Sequence, residues 1–130
     1  MNKVYLVDEG TLLEKSDQEY TAYAVYNKKY GYYDDDQYLT ADLEKAKQAC
    51  MKYVAASGDW AYGIITEQQV TDDQLSQIRQ YEQTQDMDDR VELSKVHPDY
   101  TMDSVVFSVC KKQGVVIQDF IKKKSPGETV

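Results

Sequence analysis

Histidine is almost missing from this chain: His97 is the only one in 130 residues. A Ser-His-Asp or Cys-His arrangement could use only this residue as its base. It stands before Pro98 in a polar stretch, and the chain holds no GxSxG elbow, so no histidine-based catalysis is expected. A zinc centre is disfavoured for a related reason, because such sites gather several His and Cys, and none lies near His97 in sequence. Cysteine is scarce too. Cys50 and Cys110 belong to no CxxC or Cys/His cluster and read as buried free thiols that do not pair. There is no P-loop and no GxGxxG. No cofactor or metal is expected.

No apolar run approaches the length of a membrane span. The stretch MNKVYLVDEG has one Lys and an apolar run broken by Asp8 and Glu9, unlike a secretory signal, so the chain reads as cytoplasmic. Bases are in deficit: 15 Lys and Arg face 23 Asp and Glu, a net charge of −8. That balance disfavours direct binding to nucleic acid or to an anionic membrane, and favours a basic protein partner. The oligomeric state is left open by all of this.

What the chain does hold is one domain's worth of core. An apolar fraction of 42% argues against wholesale disorder. KVYLV (3–7) and YTAYAVY (20–26) read as strands, the second dense in β-favouring aromatics. NKKYG (27–31) reads as a turn, with YY (32–33) starting a returning strand. TADLEKAKQACMKYVAASG (40–58) is the clearest helix. Thr40 is the expected N-cap, Gly58 the C′ residue, and Leu43, Ala46, Ala49, Cys50, Tyr53 and Val54 form one apolar stripe. DWAYGIIT (59–66) reads as a strand. VTDDQL (70–75) opens a second helix, with Thr71 and Gln74 as a capping box and Val70 and Leu75 as its staple. Its pattern runs past Tyr81, and Met87 and Val91 carry it toward the low nineties. SVVFSVCKKQGVVIQDFI (104–121) reads as a hairpin turning at KKQG, with Gly114 left-handed. The order β-β(-β)-α-β-α-β-β predicts an α+β fold, a largely antiparallel sheet with two helices packed on it. Residues 1–121 form the single domain, and the Lys-rich tail 122–130 is expected to be disordered.

KYGYYDDDQY (29–38) is the densest unusual stretch, with four tyrosines around three aspartates. As a calcium loop it fails. Counted from Asp34, the fifth place is Tyr38, the sixth Leu39 and the twelfth Lys45, where an EF-hand needs an oxygen ligand, Gly and Glu. It reads as a solvated loop ahead of the helix, able to set aromatic anchors beside negative charge. Charge is also polarised. Residues 72–103 carry nine acids against three bases, and residues 104–124 one acid against five lysines. If the second helix continues, Glu82, Asp86 and Asp89 share one face. Twelve tyrosines against two phenylalanines suit a half-wet recognition surface better than a dry core.

Small, single-domain, acidic, Tyr-rich and without a catalytic motif, the chain resembles in profile the phage and mobile-element proteins that inhibit host defence. Anti-CRISPR and anti-restriction proteins, some of them DNA mimics, are examples. The likeness is one of profile along the whole chain, and the Lys-rich hairpin departs from a pure DNA mimic. It implies a non-catalytic inhibitor that binds a basic, nucleic-acid-binding protein. The expected contact residues are Tyr32, Tyr33, Asp34, Asp35, Asp36, Tyr38, Glu82, Asp86 and Asp89. The rival expectation is a small regulatory domain with a ligand pocket, or an enzyme with an unrecognised carboxylate/Tyr site.

Overall fold

A computed structural model describes residues 2–12, 32–84 and 102–118; at 12, 32–36, 84 and 102 it describes the backbone alone. The elements in chain order are β1 (Asn2–Leu12), β2 (Tyr32–Thr40), α1 (Leu43–Ala56), β3 (Ala61–Val70), α2 (Asp72–Thr84), a single 3-10 turn (Met102–Ser104), β4 (Val105–Lys112) and β5 (Val115–Gln118). The five strands form one sheet in the order β2-β1-β3-β4-β5, and every neighbouring pair is antiparallel. This is the α+β architecture that the sequence predicts. The expected strand 20–26, turn 27–31, the end of the second helix, His97, residues 119–121 of the hairpin and the tail lie outside the described residues.

The two helices take opposite faces of the sheet. Alternation along a strand sends successive side chains to opposite sides, and the core divides accordingly. On one face Val7, Ala61, Ile65 and Val109 are buried against Ala46, Cys50 and Val54 of α1. On the other, Val4, Leu6, Leu39 and Val70 are buried against Ile78 of α2, with Leu75 beside them. β3 is central and buried on both faces from Ala61 to Thr66. It begins two residues later than expected and runs on to Val70, the residue that staples α2.

Local chemistry sets the ends of the helices. The capping box of α2 forms as expected: Gln74 N–H donates to Thr71 Oγ1 (3.2 Å), and Thr71 N–H donates to Gln74 Oε1 (2.9 Å). At α1 the expectation is corrected. Asp42, not Thr40, is the N-cap, and its carboxylate accepts from Lys45 N–H (3.2 Å). Thr40 is still in β2 and is drawn to α2 by Glu82. At the other end Ser57 closes the helix. Its N–H reaches Tyr53 O and Val54 O, and its hydroxyl donates to Tyr53 O (2.7 Å). Gly58 follows without a left-handed φ. Ala49 is exposed, so the stripe that packs is Ala46, Cys50 and Val54, flanked by Leu43 and Tyr53.

Gly63 lets α1 lie close to the sheet. A Cβ there would overlap Cys50 Sγ and stand 3.4 Å from Val109 Cγ1 and 3.5 Å from Val54 Cγ2. The hairpin turns on Gln113 and Gly114, both with positive φ (50° and 81°), the signature of a two-residue type I′ turn. Gly114 N–H is fixed to Asp59 O (3.2 Å).

Candidate functional site

The aspartate triplet does not lie in a loop. Tyr32 to Tyr38 belong to β2, whose register sets Asp34 opposite Thr11, Asp35 opposite Gly10 and Asp36 opposite Glu9, with an irregularity between Thr11 and Leu12. The expected loop is thus corrected to a strand. Asp is a poor strand former, but among the described residues β2 stands at the end of the sheet order, and charged residues are tolerated at such an end, where they discourage unwanted pairing.

The other predicted contact residues are scattered. Tyr38 is half-buried and packs against the core beneath α1. Glu82 sits in the last turn of α2 and accepts from Thr40 Oγ1 and from Ala41 N–H (3.1 Å). It clasps α2 to the corner between β2 and α1. Asp86 and Asp89 lie outside the described residues, so the expected ridge with Glu82 is not on view. Tyr32, Tyr33, Asp34, Asp35 and Asp36 share one strand with Tyr38.

A second cluster was missed by the sequence reading. Asp8 and Glu9 sit side by side in β1, 8% and 6% exposed, and alternation sends them to opposite faces of the sheet. Asp8 Oδ1 accepts from the Tyr62 hydroxyl (3.0 Å) and Oδ2 from Gln37 Nε2 (3.0 Å). Thr66, Gln68, Ser108 and Cys110 are buried on this same face. On the α1 face, Glu9 hydrogen-bonds the Cys50 thiol. Burial first, then the negative charges of Glu9 and Asp8, push this thiol far above its ordinary range. The only available signal was LVDEG itself, two acids inside an apolar alternation, where a buried carboxylate needs named partners. Those partners come from β2, β3 and α1, and nothing local in the sequence announces them.

Chemically, Cys50 is held as a thiol and is no nucleophile at neutral pH. Burial likewise pushes Cys110 up to about 11, with the positive charge of Lys112 pulling the other way. The two cysteines are free and buried, as the sequence predicts, and they lie on opposite faces of the sheet. Among the described residues no three His, Cys, Asp or Glu side chains are grouped to hold a metal ion, and no helix is long and apolar enough to cross a membrane.

The fold and the two clusters define a class, an α+β sheet domain with an acidic strand at one end of its described sheet and a buried carboxylate on each face. No family model matches the chain, and comparison with curated proteins and with solved structures returned no match.

Proposed function

We propose that this is a non-catalytic, acidic protein-binding domain. It engages a basic, nucleic-acid-binding protein along the β2 side of the sheet and inhibits it in the manner of a DNA mimic. One observation carries the reading: the Asp34–Asp36 triplet and Tyr32 and Tyr33 stand on the strand that ends the sheet among the described residues. Three consecutive acids at the border of a chain of net charge −8 attract a basic surface from a distance, and aromatics beside them supply short-range contact. Glu82 has moved from partner contact to internal clasp in this reading, and Asp86 and Asp89 keep their proposed role on sequence grounds alone. Nucleic acid and membrane are not proposed as direct partners.

The test is capture of the partner from the source cell, followed by binding kinetics of an Asp34/Asp35/Asp36→Asn variant at low and high salt. The on-rate of the parent should fall steeply as salt rises, and the variant should start low and change little. Tyr32→Ala or Tyr33→Ala should instead raise the off-rate, at a cost of about 2 kcal/mol for a desolvated anchor. Parent and variant binding alike, with no dependence on salt, would remove the basis of the proposal.

The buried Asp8–Tyr62–Gln37 network favours a second reading, a regulatory or enzymatic domain that holds a small ligand against a carboxylate and a tyrosine. Native mass spectrometry of the protein isolated from its source cell separates the two. A small molecule retained by the parent and lost in Asp8→Asn would support this reading, and a bare chain mass in both would count against it.

A further inference from the structure

The large apolar side chains left exposed among the described residues are Val106, Val115, Val116 and Ile117, and all four belong to the β4–β5 hairpin. They lie at the far end of the sheet from the acidic strand β2. All four residues of β5 are exposed, Val115 the most at 62%. On its inner side β5 pairs with β4, setting Val115 opposite Lys112, Val116 opposite Lys111 and Ile117 opposite Cys110. On its outer side no described strand pairs with it. α2 packs near β1 and β2, and at this end of the same face Val106, Val115 and Ile117 are exposed.

In a two-residue hairpin the pair flanking the turn is hydrogen-bonded, and bonded and non-bonded pairs alternate along the ladder. Val115 and Ile117 therefore turn their N–H and C=O toward β4. Val116 turns both outward. Its side chain lies on the α1 face, while Val115 and Ile117 lie on the other.

We propose that the outer edge of β5 pairs antiparallel with the same edge of a second copy, about a two-fold axis through Val116. Self-complementarity argues for a second copy as the occupant. With the axis there, Val116 of each copy faces Val116 of the other and exchanges both backbone hydrogen bonds with it. Val115 of each copy faces Ile117 of the other, twice. Each pair is apolar against apolar, no charged residue opposes another, and side chains of one face meet side chains of the same face. A shift of one residue would set α1-face positions against α2-face positions, and a shift of two would put Val116 opposite Gly114 or Gln118. The two sheets then join into one of ten strands, with both α1 helices on one side. A four-residue edge spans roughly 14 Å. It buries less than the ~800 Å² per partner of a standard stable interface, so the dimer is a weak one that forms with concentration. This goes beyond the proposed partner binding, which uses the opposite edge.

The experiment is sedimentation velocity of the full chain from micromolar to millimolar concentration, at low and high salt. A reversible monomer–dimer shift is expected. It should strengthen with salt, because two copies of net charge −8 repel each other, whereas partner binding at β2 should weaken. Val116→Lys, which sets two ammonium groups against each other on the axis, and Val116→Pro, which removes an outward N–H and no hydrogen bond to β4, should both abolish the dimer and leave the melting curve in place. Val116→Cys should give a covalent dimer under mild oxidant, since a hydrogen-bonded antiparallel pair sets its Cα atoms about 5.5 Å apart, within reach of a disulfide. Val115→Cys, facing Ile117 and not itself, should not. Three results would each overturn the proposal: a monomer at millimolar concentration, a dimer unchanged by Val116→Lys and Val116→Pro, or cross-linking through position 115 and not 116.

Discussion

At position 50 a carboxylate would meet that of Glu9 and feel the charge of Asp8 through the sheet. Cys50 is fully buried on Gly63, hydrogen-bonded to Glu9 and within the field of Asp8. Cys50→Asp should therefore destabilise the fold by on the order of 3–5 kcal/mol, seen as a large drop in the urea midpoint. Gly63→Ala acts at the same place by volume instead of charge. Alone it should cost about 1–3 kcal/mol through overpacking, and in a Cys50→Ala background markedly less, which a double-mutant cycle measures. The thiols also set an alkaline limit. For Cys110 the folded-state value of about 11 lies above the unfolded 9.0, so near pH 10 the unfolded chain has released this proton and the folded chain has kept it. Its contribution is whole below pH 9 and is lost as pH rises toward 11, and Cys50 shifts in the same direction. Equilibrium unfolding between pH 8 and 11 should show stability falling with pH, less steeply in Cys110→Ala.

Among the elements, the two helix starts show what a sequence can disclose. Thr71 and Gln74 bond each other across three residues, a contact complete within the local chain, and it was legible. Thr71→Ala should cost about 1 kcal/mol, measurable by chemical denaturation. The start of α1 was misread by two residues because Thr40 is claimed by Glu82, 42 positions away. No local rule could reveal that claim, nor that Glu82 also accepts from Ala41 N–H. Glu82→Ala frees Thr40 Oγ1 and Ala41 N–H, and should cost about 1–3 kcal/mol with a half-buried acceptor removed. If the clasp holds α2 to the β2–α1 corner, amide exchange should quicken along Leu75–Thr84 before it does in α1. The triplet failed as a loop for a similar reason. Pairing to β1 draws Asp34–Asp36 into a strand that their own propensities oppose.

Seen whole, the described sheet sets an acidic strand at one end and an apolar one at the other. The fold class, the two helices and the hairpin were readable because period and turn chemistry are local signals. The order of strands was not, since it depends on which edges meet after the chain has turned back on itself. One item of that order governs how the protein is made. β1 is made before the other described strands, yet its two neighbours in the sheet are β2 and β3, and its pairing reaches to Val70. A nascent chain leaving the ribosome thus carries this segment before either neighbour is made, with two carboxylates whose partners have not been translated. No hairpin with the next segment can shelter it on both sides. For the time needed to synthesise some sixty more residues, about 3–12 s at ordinary elongation rates, it is a segment open to holdase chaperones.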